Sequence, residues 1–241
     1  MSQQRVIKIL SVDDHHLIRE GIASVIRNQP DMELVAHASS GTEAIELYRQ
    51  HRPDVTLMDI RLRGLSGIDA TTAICSEFPH ARIIIFTTSD GDVEVQRSLE
   101  AGARGYFLKS LPPDELIKAI REVHAGKKRI QTELAARMAE HMGEERVTAR
   151  EIQVLEYVAA GQHNREIGER LFISEETVKV HLRRIMAKLG ARGRTQAVAI
   201  ANRRGVVRFD DCWEQRSYST ASRRNSARVA NTIRSADFIL R

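Results

Sequence analysis

Five side chains in the first half of this 241-residue sequence could share one chemistry. Asp13 and Asp14 follow the apolar run VIKILSV, Asp59 follows VTLM, Thr87 closes IIIFT, and Lys109 follows GYFL. Carboxylates are hard oxygen ligands suited to Mg2+, and one of them can act as a nucleophile. A hydroxyl and a point cation can neutralise the oxygens of a phosphoryl group. Singly, each has an ordinary role: an acid pair after a strand is commonly a helix cap, and a lysine is commonly solvated. The conjunction carries the argument, because five suitable types at five such positions are improbable as independent accidents.

Alternating elements must position them. Short β-rich runs are expected at 6–12, 32–38, 55–59, 83–87 and 105–108, separated by stretches of helical period. One apolar stripe reads Leu17, Gly21, Ile22, Val25, Ile26 and another Ala44, Ile45, Leu47, Tyr48, while a last helix after Pro113 turns Leu116, Ile117, Ile120 and Val123 inward. The pattern predicts an α/β domain with a doubly wound, five-stranded parallel sheet. Such sheets bind ligands beyond the carboxyl ends of their strands, where all five residues fall. His15 and His16 are read as surface residues, because neighbours on a helix point apart.

The segments VDDHH (12–16), LMDIRLRGLSGID (57–69), IIIFTT (83–88) and AGARGYFLKS (101–110) resemble the receiver domain of response regulators, over about residues 5–125. The resemblance implies a flavodoxin-like fold in which Asp59 accepts a phosphoryl group from a sensor histidine kinase or a small phosphodonor. It implies that Asp14, Asp59 and the backbone carbonyl of Arg61 hold Mg2+, with Asp13 in the same acidic pocket. Thr87 and Lys109 would bind phosphoryl oxygens, and Tyr106 would be the aromatic that switches with Thr87. Many receivers have proline after the lysine; Ser110 stands here, and a trans peptide is expected because cis costs about 2.5–4 kcal/mol without proline.

A second constellation follows. Thr148 to Glu151 reads as a capping box opening a helix with Ile152, Leu155 and Val158 on its apolar side, Asn164 starts another, and Ser174 a third with Glu175 and Glu176 in its first turn. Two short helices joined across 172–174 read as a helix-turn-helix. At about 100° per residue, Val178, Leu182, Ile185 and Leu189 share one stripe. Opposite lie Glu176, Lys179, Val180, Arg183, Arg184 and Ala187. Such a face is often solvated charge alone, but a valine flanked by Lys179 and Arg183 suits the phosphates, base edges and thymine methyls of a major groove.

Residues 147–190, continued by ARGRTQAVAIANRRGVV to 207, resemble the four-helix DNA-binding domain of LuxR and NarL type regulators; only His163 varies a small polar position. Up to Val207, where the resemblance stops, the chain is thus similar to two-component response regulators of the NarL/FixJ family. This implies that the third helix enters the groove of double-stranded DNA with Lys179, Val180, Arg183 and Arg184. It also implies that two copies pair through the last helix, around 196–201, on an inverted repeat.

Charge divides the same way. Residues 1–125 carry 14 basic against 18 acidic residues and 126–145 carry 4 against 4, whereas 146–207 carry 12 against 6 and 208–241 carry 7 against 4. An acidic regulatory half on a basic half fits a nucleic-acid binder. The expected organisation is a receiver at 1–125, a linker with some helix at 126–145, an all-α helix-turn-helix domain at 146–207 and a disordered basic tail at 208–241. No apolar run approaches the roughly 20 residues of a membrane span, the polar start lacks the pattern of a secretory signal, and two cysteines cannot build a disulfide framework. A cytoplasmic transcription regulator rather than an enzyme is expected. An aspartyl phosphatase would leave the basic helices without use, and a regulator indifferent to phosphate would leave the acid pocket without use.

Overall fold

The computed structural model describes residues 6–141 and 143–207, which form two compact units dividing between Gly143 and Glu144. The tail at 208–241, expected to be disordered, lies outside the described residues.

The first unit alternates β1 (Ile7–Val12), α1 (His16–Arg27), β2 (Met32–Ala38), α2 (Gly41–His51), β3 (Val55–Met58), α3 (Gly67–Glu77), β4 (Ile83–Thr87), α4 (Asp92–Glu100), β5 (Gly105–Leu108), α5 (Pro113–His124), β6 (Arg129–Ile130) and α6 (Thr132–Glu140). All strand pairings are parallel and the order is β2-β1-β3-β4-β5-β6. β3 and β4 are buried at every position because helices cover both faces. Ile9, Leu57 and Ile84 meet Ile22, Ile26, Ile117 and Ile120 of α1 and α5 on one side. Leu10, Met58 and Ile85 meet Ala44, Ile74, Val95 and Leu134 of α2, α3, α4 and α6 on the other. The chain reverses its winding at β1 and β3, so their carboxyl ends open a crevice.

Three expectations are corrected here. The sheet has six strands rather than five: β6 comes from the segment read as linker, with Arg129 and Ile130 registered against Gly105 and Tyr106. A two-residue strand is too short to show alternation. The following α6 seats Leu134 in the core of the first unit, so this unit continues past 125 as far as Gly143. On α1 the stripe holds at Ile22, Val25 and Ile26, but Leu17 and Gly21 are exposed and Ile18 and Ala23 face the core instead. Helical spacing alone does not fix which of two adjacent residues starts the buried face.

The second unit holds α7 (Ala149–Ala159), α8 (Asn164–Leu171), α9 (Glu175–Lys188) and α10 (Arg194–Arg203). Thr148 accepts from Glu151 N while Glu151 accepts from Thr148 N, completing the capping box. Lys188 is almost fully buried and binds Glu151 at 2.9 Å, Glu145 at 3.1 Å and the Arg146 carbonyl at 2.9 Å. This cation ties the end of α9 to the start of α7. Burial works against the Glu151 charge, but bonds from Thr148 and Lys188 outweigh it and hold the carboxyl below its ordinary range. Between α8 and α9, Phe172 takes a left-handed conformation at φ 55°, and a side chain at Gly168 would come within 2.7 Å of the Ile173 carbonyl oxygen. The tight helix-turn-helix corner therefore depends on Gly168.

Candidate functional site

The strand ends of the first unit converge as the spacing predicts. Asp13 and Asp59 are buried directly after β1 and β3, and Lys109, whose side chain is largely covered, comes directly after β5. The Lys109 ammonium lies 2.6 Å from Asp13 Oδ2 and 2.7 Å from Asp59 Oδ2. Burial of this lysine opposes its charge, yet the hydrogen bonds to Asp13 and Asp59 prevail and raise its pKa above the ordinary value. Backbone pairing fixes the stem, since Lys109 N donates to the Thr87 carbonyl at 2.7 Å. Thr87 is buried at the end of β4, and its hydroxyl oxygen accepts from Ser89 N at 3.4 Å. Tyr106, also buried, donates its hydroxyl to the Ser89 carbonyl at 2.9 Å. Desolvation of the phenol, with Glu94 and Asp59 nearby, raises its pKa well above the ordinary value.

Asp14 stands at the pocket rim, half-buried, and Arg61 donates its backbone N–H to Asp59 Oδ1 at 3.3 Å. A Cβ at Gly67 would run into the Asp59 carbonyl oxygen, so glycine is required for α3 to start this close to the pocket. His15 and His16 are exposed, as expected, but His15 also reaches the pocket. Its ring Nδ1 lies 2.7 Å from Asp14 Oδ1 and 3.3 Å from Asp13 Oδ1, although most of the ring is solvent-exposed. The residue is the N-cap of α1 and not yet helical, so the rule separating neighbours on a helix does not govern it. Carboxylate oxygens of Asp13, Asp14 and Asp59 and a nitrogen of His15 all lie within 4.8 Å of one another. Three like charges so close favour a cation between them, and the all-oxygen carboxylate set fits Mg2+.

In the second unit, Val178, Leu182, Ile185 and Leu189 are buried. Lys179, Val180, Arg183 and Arg184 share the exposed side of α9. Lys179 lies 3.4 Å from Glu175 and 3.3 Å from Glu176, and Arg183 lies 3.5 Å from Glu176. The cations thus rest against acids of their own helix, in pairs exposed enough to exchange for phosphate. On α10, Ala197, Val198 and Ala201 fill the unit's own core, leaving Gln196 and Ala199 exposed within the stretch expected to pair two copies. Arg150 was missed as a structural residue: its guanidinium donates to the Leu171 carbonyl at 2.7 Å and to Gln153 at 2.9 Å. No periodicity marks a side chain that reaches a carbonyl 21 residues away.

A receiver-type phosphoryl pocket joined to a helix-turn-helix defines a class of switchable DNA-binding regulators, and the comparisons agree. Residues 9–121 match the family described as response regulator receiver domain, and 145–201 match bacterial regulatory proteins of the luxR family. The chain is 39% identical over 210 residues to the transcriptional regulatory protein LiaR of Bacillus subtilis, covering 84% of this chain and 100% of that protein. It is 38% identical over 201 residues to a nitrate/nitrite response regulator protein homolog of Haemophilus influenzae, covering 82% and 97%. Among solved structures, the response regulator ChrA of a heme-sensing two-component system aligns with 33% identity and a TM-score of 0.51, over 84% of this chain and 99% of that one. The chain belongs to the two-component response regulators of the NarL type, with a receiver followed by a LuxR-type DNA-binding domain. Among the described residues, no helix is long and apolar enough to cross a membrane.

Proposed function

We propose that this regulator is switched by Mg2+-dependent phosphorylation of Asp59. The single observation that carries the reading is the Lys109 ammonium bridging buried Asp13 and Asp59 at 2.6 and 2.7 Å. It is a charge already in position for phosphoryl oxygens. An Asp59 carboxylate oxygen attacks phosphorus of a phosphohistidine on a sensor kinase, or of a small acyl phosphate. The new P–O bond forms as the P–N bond or the donor's P–O bond breaks, and the leaving group departs with the bonding pair. Asp13, Asp14, Asp59 and the Arg61 carbonyl would hold Mg2+, which would supply charge neutralisation for the transferring group. Lys109 moves from carboxylate to phosphoryl oxygen, and Thr87 donates its hydroxyl to another. That motion releases Ser89 N, and Tyr106 follows through its bond to the Ser89 carbonyl.

The receiver acts in this reading as a switch, not as an enzyme with its own substrate, and the protein works in the cytoplasm. Output runs through the second unit, where Lys179, Val180, Arg183 and Arg184 read the major groove and two copies sit on an inverted repeat. Incubation with acetyl phosphate and Mg2+, followed by intact mass, tests the switch. Wild type gains one phosphoryl group, chelation of Mg2+ abolishes the gain, and Asp59→Asn gains none while remaining folded. Undiminished labelling of Asp59→Asn removes the mechanism and leaves a regulator that ignores phosphorylation at this site.

A further inference from the structure

The turn that follows Thr87 is held from two sides. Inside, the Ser89 hydroxyl donates to Glu94, whose side chain is buried on α4, while Tyr106 donates to the Ser89 carbonyl. Outside, α6 lies along α4. Arg137 binds the Asp90 carboxylate at 2.5 Å and the Asp90 carbonyl at 3.3 Å, and His141 Nδ1 lies 3.4 Å from Asp92 Oδ2. The same α6 segment is stitched to the switch strand. Gln131 N donates to the Tyr106 carbonyl at 3.2 Å, its side-chain oxygen accepts from Leu108 N at 3.3 Å, and Leu134 is buried in the core that contains Tyr106.

We infer that α6 is the output element of the receiver, clamped to the resting turn by Arg137 on Asp90 and released when Thr87 moves toward a phosphoryl group. The inference rests on Asp59 being the phosphoacceptor. Its logic is mechanical. Ser89 is held through its N–H by Thr87, through its hydroxyl by Glu94 and through its carbonyl by Tyr106, so displacement of Thr87 and Tyr106 must shift Ser89 and its neighbour Asp90. Arg137 cannot keep both of its Asp90 contacts if that turn moves. The chain after α6 leads within a few residues to the DNA-binding unit, so α6 stands in sequence where a signal has to pass. Glu94 and Arg137 are positioning residues that set the threshold of the switch.

Coupling of this kind is reciprocal: if the phosphoryl state loosens the clamp, loosening the clamp must favour that state. The test uses the full chain with Mg2+ and beryllofluoride, a stable phosphoryl mimic, in titration calorimetry and hydrogen exchange. Arg137→Ala changes an exposed residue and should bind beryllofluoride about two- to fivefold more tightly than wild type, the range available to one exposed ion pair. Asp90→Ala should tighten binding similarly, and the double variant should add nothing further. In wild type, beryllofluoride should speed exchange of the α6 amides by about threefold or more, to the level already present in ligand-free Arg137→Ala. If wild type binds beryllofluoride, Asp59→Asn does not, and yet Arg137→Ala leaves both affinity and α6 exchange unchanged, the clamp is overturned while the phosphoacceptor stands. If wild type fails to bind beryllofluoride, both fall.

Discussion

Two charged sites in this chain use opposite solvation. In the receiver pocket the side chains of Asp13, Asp59 and Lys109 are 2%, 3% and 8% exposed. On α9 the side chains of Lys179 and Arg183 are 46% and 67% exposed. Buried charges interact strongly, so the pocket must be satisfied before any ligand arrives, and Lys109 supplies that counter-charge. Exposed pairs are screened and worth little, so Glu175 and Glu176 can yield Lys179 and Arg183 to a polyanion at small cost. In the proposed function, the same kinds of residue would therefore make a preset chemical pocket in one unit and an adaptable reading surface in the other. Burial, more than charge content, assigns the task.

The contrast within α9 itself is the sharpest way to break this account. Leu182→Ala removes a buried side chain and should destabilise the second unit by about 2–5 kcal/mol in thermal or denaturant unfolding, with DNA binding lost only through unfolding. Arg150→Ala comes next. It deletes a charge-assisted bond to the Leu171 carbonyl and should cost about 1.5–3 kcal/mol of stability. Any fall in binding should be uniform across sequences. Arg183→Ala should leave melting nearly unchanged and cost about 1–3 kcal/mol of discrimination at one base pair, read on a panel of single-base variants at fixed salt. Val180→Ala, the smallest effect, should lose less than about 1 kcal/mol, at a thymine position. If Arg183→Ala keeps the wild-type ranking of sites while Val180→Ala melts the unit, the facing of α9 is wrong and the comparison between the two sites collapses.

Much of this was legible because parallel sheets and amphipathic helices impose strict geometry. Strand ends located Asp13, Asp59, Thr87 and Lys109, since a residue after a buried strand has one edge to occupy. The 100° advance of a helix separated Leu182 from Val180 with no structure at hand. What escaped was held by contacts without a period. β6 is two residues long, α6 is anchored by the single fully buried side chain of Leu134, and Arg150 reaches across a turn to one carbonyl. His15 is exposed as expected, but its approach to Asp14 had no signal, because a cap residue obeys neither strand nor helix rules. Leu17 shows the remaining weakness, a stripe right at Ile22, Val25 and Ile26 whose first residue is Ile18 rather than Leu17.

The central claim is that chemistry in the buried pocket governs reading by the exposed face. The most direct measurement is the affinity of the full chain, at fixed salt, for a duplex selected by this protein from a randomised pool, with and without beryllofluoride and Mg2+. Wild type should bind about tenfold or more tightly with the mimic, within the usual span of coupling between sites, and Asp59→Asn should not respond. An equal response in Asp59→Asn, or none in wild type that has bound the mimic, would contradict the account.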